Sequence, residues 1–233
     1  MDVLVPFSTT DPKSRLSERL TPGERLAFAR AMLADVVDAV RAGGGDPCVL
    51  ATAPIEPESS EGGTDTDLDG VSDADDVRVV VDESPLTTAV NDVLRNGVAR
   101  AGVTAVDSSP TAVVMADLAL ATPETVGRLL GTDGDVVIAP GRGGGTNALV
   151  VRHPGFYVEY HGASYLDHRR IAADVDASVQ VFDSHRLASD VDAPIDLVEV
   201  IVHADGRAAD WLRDAGFELD RSDGRVDVVR ADG

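Results

Sequence analysis

The 233-residue chain has very little cysteine and few aromatic residues, and it lacks long apolar runs. Its one cysteine, Cys48, excludes an intramolecular disulfide, and its place in the apolar run 47–51 indicates a buried thiol. No apolar run approaches the length needed to cross a membrane, and the first residues lack the charged and apolar regions of a secretory signal. We therefore expect a soluble cytoplasmic protein with no membrane partner, long enough to fold without disulfides.

Positive charge is also scarce, because 41 acidic residues oppose 20 basic ones and leave a net charge of −21. Binding to a nucleic-acid backbone requires a basic surface, so the composition excludes a nucleic-acid partner. Aspartate outnumbers glutamate, and all basic residues but one are arginines. This bias is typical of salt-loving microbes, where molar salt screens charges beyond about 3 Å. We expect the source to be a halophilic archaeon.

The one lysine, Lys13, follows the first predicted strand, which runs from Asp2 to Pro6. Arg15 lies two residues further on. In open α/β sheets, ligands bind outside the carboxyl ends of the strands, and this loop leaves such an end. Lysine also presents a compact charge that the planar guanidinium of arginine does not. The sequence therefore predicts an anion-binding position at Lys13, with a merely solvated loop as the alternative.

Strand and helix patterns alternate along most of the chain. Threonine followed by proline predicts helices that begin at Pro22 and Pro123. The alternation predicts one α/β domain over residues 1–233, with a mixed, mostly parallel sheet and helices on both faces. Later strands are predicted at 48–53, 77–82, 111–117, 135–139, 148–151, 156–160 and 179–182. Further helices are predicted at 86–101, 164–173, after Pro194 and at 208–215, and a terminal hairpin at 217–219 and 225–230.

Residues 56–76 are an acidic loop insertion with nine acids and no base. Within it, residues 65–76 match the spacing of a calcium-binding loop, but the last residue is Asp76 instead of the usual glutamate. No helix pair flanks the segment, so a solvated acidic loop is favoured over a calcium site. Because a short loop could join the two flanking strands, we expect the insertion to be dispensable.

Carboxylates follow two of the predicted elements. Asp117 ends a buried strand, and Asp190 and Asp192 lie two residues apart in an extended segment. Side chains at that spacing point to the same side, as binding of a divalent metal by carboxylates requires. Each could instead cap a helix, but a shared location at strand ends favours a common site.

Two segments have the character of anion sites. The glycine-rich run 140–147 follows a strand and leads into another strand, which excludes a dinucleotide fingerprint or a P-loop. Its glycines still let backbone N–H groups approach an anion. Gly162 and Ser164 precede a predicted helix, whose first turn favours negative charge.

Taken in order, these motifs resemble the 2-phospho-L-lactate guanylyltransferases, which make an intermediate of a deazaflavin hydride-carrier coenzyme in archaea and some bacteria. The resemblance covers nearly the whole chain and rests on residues 13–16, 117–118, 143–149 and 190–197. It implies the single-domain nucleotidyltransferase fold, which is glycosyltransferase-A-like and Rossmann-like.

The resemblance further implies a reaction in which a phosphate oxygen of 2-phospho-L-lactate attacks the α-phosphorus of GTP and pyrophosphate leaves. It implies Mg²⁺ bound by Asp117, Asp190 and Asp192, and catalytic roles for Lys13, Arg15 and Asp117. The nucleotide would contact Pro6, Lys13, Arg15 and Leu86. The phosphate of the acceptor would contact Thr146, Asn147, Gly162, Ala163 and Ser164.

Two alternatives stay open. Phosphoenolpyruvate and 3-phosphoglycerate differ little from phospholactate, so a related nucleotidyltransferase with another phosphorylated acceptor fits the same motifs. A non-catalytic nucleotide-binding or Ca²⁺-binding regulator would instead use the acidic loop and release no pyrophosphate. A homodimer is compatible with the sequence.

Overall fold

A computed structural model of the chain describes residues 1–55, 77–97, 110–222, 224 and 226–231. The acidic insertion at 56–76, its predicted calcium loop and the end of the predicted helix at 86–101 lie outside these residues. The strands are β1 (Asp2–Phe7), β2 (Asp46–Ala51), β3 (Arg78–Val81), β4 (Thr111–Val114), β5 (Val136–Pro140), β6 (Thr146–Val151), β7 (Val179–Val181), β8 (Phe217–Asp220) and β9 (Asp227–Arg230). The helices are α1 (Pro22–Ala42), α2 (Leu86–Asn96), α3 (Pro123–Leu130), α4 (Ser164–Asp174), α5 (His185–Ala188), α6 (Asp196–His203) and α7 (Arg207–Asp214), with a short 3₁₀ turn at Ser14–Leu16.

Seven strands form one sheet in the order β3, β2, β1, β4, β6, β5, β7. β1 is parallel to β2 and β4, and β6 is antiparallel to both of its neighbours. This confirms the predicted mixed, mostly parallel sheet. The chain proceeds outward from β1 to β3 and then returns to β4 on the other side of β1. The strand order therefore reverses between β1 and β4, which is where ligands bind in open α/β sheets.

Alternate residues of β1 pack on opposite faces of the sheet. Val3 and Val5 join the core formed with α1, α3, α6 and α7, whereas Leu4 joins the core formed with α2 and α4. All three side chains are fully buried. Burying such a side chain contributes about 1.5–3 kcal/mol, so β1 fixes the layer that carries the Lys13 loop.

The longest helix, α1, begins where the sequence predicts. Thr21 Oγ1 accepts a hydrogen bond from the Glu24 N–H, and the Glu24 carboxylate accepts one from the Thr21 N–H. The helix ends at Gly43, where an added Cβ would lie 2.9 Å from the carbonyl oxygen of Pro123. Only glycine permits α1 and α3 to approach this closely.

The predicted strand at 156–160 is wrong. No strand among the described residues pairs with this segment, and side chains bind its backbone instead. Asn91 on α2 accepts from the Val158 N–H at 2.8 Å and donates to the Val158 carbonyl at 2.9 Å. The Tyr160 N–H donates to Thr87 Oγ1 at 2.9 Å. These backbone groups of Val158 and Tyr160 are therefore satisfied without a neighbouring strand.

The expectation that a short loop could join the strands around the acidic insertion is also wrong. β2 and β3 pair in parallel, with Cys48 opposite Arg78 and Ala51 opposite Val81. A connection between parallel neighbours must return along the whole strand, which takes about a dozen residues or more.

The predicted terminal hairpin is confirmed as an antiparallel pair of β8 and β9, separate from the main sheet. The short helix α5 was not predicted, because a single turn leaves no periodic pattern. Throughout the described ranges, every helix is too short or too polar to cross a lipid bilayer.

Candidate active site

The Lys13 loop has an unusual backbone conformation. Asp11 and Lys13 both have positive φ, at 42° and 56°, in the left-handed region that non-glycine residues rarely adopt. A buried arginine on α1, Arg25, holds the loop in this shape. Its Nε donates to the Pro12 carbonyl at 3.2 Å, and its guanidinium pairs with the Asp11 carboxylate. Arg25 therefore fixes the backbone position from which the Lys13 side chain extends.

Lys13 joins two of the predicted metal ligands. Its Nζ lies 2.7 Å from Asp117 Oδ2 and 2.9 Å from Asp192 Oδ1, with the lysine side chain only 11% exposed. Burial alone would lower the pKa of Lys13, but attraction to the two carboxylates outweighs burial and raises that pKa. The lysine is therefore fully charged at neutral pH. Arg15 contacts Asp192 at 3.4 Å and is 76% exposed, so its interaction is weaker.

The segment that carries Asp190 and Asp192 is fixed to the end of β4. The Val191 N–H donates to the Asp117 carbonyl at 3.2 Å, which brings the segment of Asp190 and Asp192 beside Asp117. Asn147 Nδ2 donates to Asp190 Oδ1 and to the Leu187 carbonyl, both at 3.0 Å.

The same segment is held from its other side by Asp196, which begins α6. Asp196 Oδ2 accepts from the backbone N–H groups of Asp192 and Ala193 at 3.1 and 2.8 Å. Arg142 from the glycine-rich loop pairs with the other oxygen of Asp196 at 2.9 Å. The turn that presents Asp192 is therefore fixed at both ends.

The three aspartates carry more negative charge than Lys13 neutralises. Burial raises the pKa of Asp117, as do the nearby Asp192 and Asp190, whereas Lys13 acts in the opposite direction. Asp117 Oδ1 is buried and has no hydrogen-bond partner among the described residues. Hard carboxylate oxygens of this kind suit Mg²⁺. The donor set and the unpartnered oxygen therefore fit a magnesium ion.

Lys13 Nζ itself now lies between Asp117 and Asp192. In the part of the chain that the structure describes, no three metal-ligating side chains are already gathered around one point. Magnesium would therefore use the free oxygen of Asp117 or require the ammonium to shift.

A second polar group lies at the beginning of β6, beside α4. The Thr146 N–H donates to Ser164 Oγ at 3.0 Å, and Thr146 Oγ1 lies 2.9 Å from His168 Nδ1. Ala163 is the N-cap of α4, and Gly162 before it has φ of 51°. The predicted phosphate-contacting residues Thr146, Gly162, Ala163 and Ser164 are thus brought together.

Asn147 differs from them. Both of its amide hydrogens are bound by Leu187 and Asp190, so in this arrangement the side chain positions Asp190 and has no donor left for a phosphate.

Clefts flank the carboxyl end of β1. One of about 230 Å³ is lined by Pro6, Leu86, Thr52, Asp82 and Ser84, among others. The other lies on the Lys13 side and is lined by Pro6, Met32 and Asp117, among others. Of the four residues predicted for nucleotide contact, Pro6 and Leu86 line the first cleft and Pro6 and Lys13 line the second. Arg15 is not among the lining residues of either cleft.

Sequence reasoning missed Arg25 and His168. Arg25 falls on the buried side of α1, and His168 lies four residues after Ser164, on the same face of α4. That i, i+4 spacing was the available signal for His168. No local signal connects Arg25 to the loop that precedes its helix.

The sheet has Lys13 and Asp117 beyond the carboxyl ends of β1 and β4, while Asp190 and Asp192, predicted at strand ends, lie instead in the segment between α5 and α6. Together with the comparisons that follow, this fold identifies the class of the protein as a nucleotidyltransferase. A solved structure of a candidate nucleotide-diphospho-sugar transferase from Desulfovibrio desulfuricans G20 superposes with a TM-score of 0.67 at 15% identity, over 92% of this chain and 95% of that one. A nucleotidyl transferase from Methanothermobacter gives a TM-score of 0.51 at 14% identity, over 91% and 96%. These likenesses concern the fold.

The family model described as "Guanylyl transferase CofC like" matches residues 1–231, and the chain belongs to this family. A curated relative from Halomicrobium mukohataei, named 2-phospho-L-lactate guanylyltransferase, is 53% identical over 99% of this chain and 100% of its own length. One of the same name from Haloterrigena turkmenica is 54% identical, over 99% and 97%. The resemblance predicted from the motifs is confirmed, and the haloarchaeal relatives fit the halophilic composition.

Proposed function

We propose that the protein transfers the guanylyl group of GTP to 2-phospho-L-lactate and releases pyrophosphate. The observation that carries this proposal is the contact of Lys13 with Asp117 and Asp192 at the point where the strand order reverses. The curated relatives named 2-phospho-L-lactate guanylyltransferase, which are 53% and 54% identical over 99% of this chain, support the choice of substrates.

In the proposed reaction, a phosphate oxygen of the acceptor attacks the α-phosphorus of GTP. A new P–O bond forms, the bond from the α-phosphorus to the bridging oxygen breaks, and pyrophosphate leaves with that oxygen. The nucleophile is already an anion at neutral pH, so no general base is required. Positioning and charge neutralisation are then the main contributions of the protein.

Lys13 and Arg15 neutralise the triphosphate in this scheme. Lys13 is the buried charge of the pair, and Arg15 is the exposed one. Asp117, Asp190 and Asp192 would hold Mg²⁺, which supplies charge stabilisation to the phosphoryl oxygens when bound. The excess of negative charge at the aspartates and the unpartnered Asp117 Oδ1 support this assignment.

The two substrates are assigned to opposite sides of Asp117. The nucleotide occupies the clefts at the end of β1, against Pro6 and Leu86. The phosphate of the acceptor contacts Thr146 and Ser164 at the beginning of α4, where the positive end of the helix dipole favours an anion. Asn147 supports this placement, because it follows Thr146 in β6 and its side chain donates to Asp190 Oδ1 at 3.0 Å.

A screen of pyrophosphate release tests the proposal. GTP, ATP, CTP and UTP are each combined with 2-phospho-L-lactate, phosphoenolpyruvate or 3-phosphoglycerate in molar potassium chloride with magnesium. We expect the highest kcat/KM for GTP with 2-phospho-L-lactate. A higher value with another acceptor would favour the related nucleotidyltransferase. Nucleotide binding without pyrophosphate release from any pair would favour the non-catalytic regulator.

Location in the cytoplasm and a homodimeric state stay predictions.

A further inference from the structure

His168 is a fully buried histidine with hydrogen bonds on both ring nitrogens. The backbone N–H of Glu159 points at its Nε2 at 3.0 Å. Its Nδ1 lies 2.9 Å from Thr146 Oγ1. The ring also packs against Tyr160, edge to face, at a centroid distance of 5.2 Å. The imidazole is therefore fixed in orientation and links the segment before α4 to the beginning of β6.

The contact with Glu159 determines which nitrogen carries the proton. A backbone N–H can only donate, so Nε2 must accept and carries no hydrogen. In the neutral ring the hydrogen then lies on Nδ1 and is donated to Thr146 Oγ1. A second proton, bound to Nε2, would point at the Glu159 N–H, so that two hydrogen-bond donors would face each other in a buried place. In agreement, burial lowers the pKa of His168 to about 4, despite the nearby Asp167.

This tautomer determines what the Thr146 hydroxyl can do. Its oxygen already accepts from His168, and no residue in the described ranges accepts its hydrogen. The same holds for Ser164, whose oxygen accepts from the Thr146 N–H at 3.0 Å. Two neighbouring hydroxyls thus each retain a hydrogen to donate. Such a pair suits an anion and opposes a hydrogen-bond donor.

We propose that His168 is a positioning residue that keeps the Thr146 hydroxyl turned as a donor toward the phosphate of the acceptor. The inference rests on the proposed function for the identity of that phosphate. It rests on the hydrogen bonds of Glu159 and Thr146 alone for the tautomer. His168 touches no substrate and acts through Thr146.

The tautomer is tested first, without any assay of activity. Protein labelled with ¹⁵N in histidine is studied by NMR at pH 7 in molar potassium chloride, and His168→Asn identifies the signals of His168. We expect a protonated Nδ1 and an unprotonated Nε2. A protonated Nε2, whether in the other neutral tautomer or in the imidazolium, overturns the proposal.

The positioning role is tested by a double-mutant cycle with Thr146→Val and His168→Phe. Each single variant should raise KM for 2-phospho-L-lactate about tenfold, as for a hydrogen bond to a charged group, and leave KM for GTP unchanged. The double variant should be no worse than Thr146→Val alone. His168→Asn, which can place an amide N–H near the position of Nδ1, should recover part of the loss.

The outcomes separate this inference from the proposed function. Additive losses in the double variant, or equal losses toward GTP and acceptor, would mean that His168 only supports the fold and would overturn the inference. Absence of pyrophosphate release by the wild-type protein would overturn the proposed function, whereas the NMR measurement would still decide the tautomer. Melting temperatures of all variants identify any that fail to fold. If His168→Phe does not fold, His168→Gln replaces it in the cycle, because its amide can accept from the Glu159 N–H but places no N–H at the position of Nδ1.

Discussion

Lys13 Nζ lies 2.7 Å from Asp117 Oδ2, although the two residues are 104 positions apart in the chain. They meet because β1 and β4 are parallel neighbours and each residue follows the carboxyl end of its strand. The ammonium also reaches Asp192 at 2.9 Å, so one lysine joins two segments of the acidic group. The parallel pairing of β1 and β4 therefore brings the charges of Lys13 and Asp117 together at one edge of the sheet.

We expect Asp117→Asn and Asp192→Asn each to lower kcat by about 100-fold or more while the protein stays folded. Each substitution removes a carboxylate charge that would bind magnesium, and the magnesium would stabilise the negative charge that develops in the transition state. The measurement is pyrophosphate release at saturating magnesium, with circular dichroism as the check on folding. Asp210→Asn, on the outer side of α7, is the matched control and should have wild-type rates. Near-normal turnover in either folded site variant would sink the shared metal site.

We expect Lys13→Ala to lower kcat/KM for GTP by about 2 kcal/mol or more in transition-state stabilisation. Lys13→Arg should rescue this loss only in part, because a planar guanidinium does not fit where two carboxylates converge on one ammonium. Arg15→Ala should cost less, since Arg15 is 76% exposed. Rates are compared at fixed molar potassium chloride so that screening is constant. Wild-type kinetics for Lys13→Arg would show that only the sign of the charge matters.

Replacing residues 56–76 with a Gly/Ser linker of equal length should leave nucleotidyl transfer largely intact. A four-residue linker should instead destabilise the protein, because the connection between the parallel strands β2 and β3 must return along the length of the strand. The two variants are compared by melting temperature and pyrophosphate release. If the equal-length linker abolishes activity, and the intact protein needs calcium, the acidic segment is a calcium site after all.

Acidification should destabilise the wild-type protein more than His168→Asn between pH 6.5 and 4. Folded His168 resists protonation until about pH 4, whereas the exposed imidazole of an unfolded chain takes up a proton near its ordinary pKa of 6.5. The unfolded state therefore binds the extra proton. As the pH decreases from 6.5 to 4, the free energy of unfolding falls by on the order of 3 kcal/mol.

The measurement for this prediction is the free energy of unfolding by denaturant at a series of pH values. Asp35 and Asp117, whose pKa values are raised by burial, act in the opposite sense, which is why the comparison with His168→Asn is required. Equal pH dependence in the two proteins would contradict the lowered pKa of His168.

The sequence predicted those parts of the fold that local chemistry determines. Thr21, Pro22 and Glu24 predict the beginning of α1. In the structure Thr21 and Glu24 form the capping box, and Pro22 is the first helical residue. The strand ends at Pro6 and Asp117 predicted where the acidic group would form, because parallel strands bring their carboxyl ends to one edge.

What the sequence could not predict depends on distant partners. The segment 156–160 has the composition of a strand, but Asn91, about sixty-seven positions earlier, binds its backbone in place of a ladder. Arg25 holds the Lys13 loop through Pro12 and Asp11, and nothing in its own helix distinguishes it from a surface arginine. The tautomer of His168 likewise follows from an N–H that becomes its neighbour only in the folded chain.

The reversed direction of β6 has an evolutionary consequence. Because β6 runs against β4, its first residue, Thr146, lies at the edge where β4 ends. In the proposed scheme, contacts with the acceptor therefore come from the later segment 146–168, whereas contacts with the nucleotide come from the earlier segment 6–86. Substrate preference on one side can then drift by mutation without altering the other. A lineage that exchanges one phosphorylated acid for another needs changes only in the later segment.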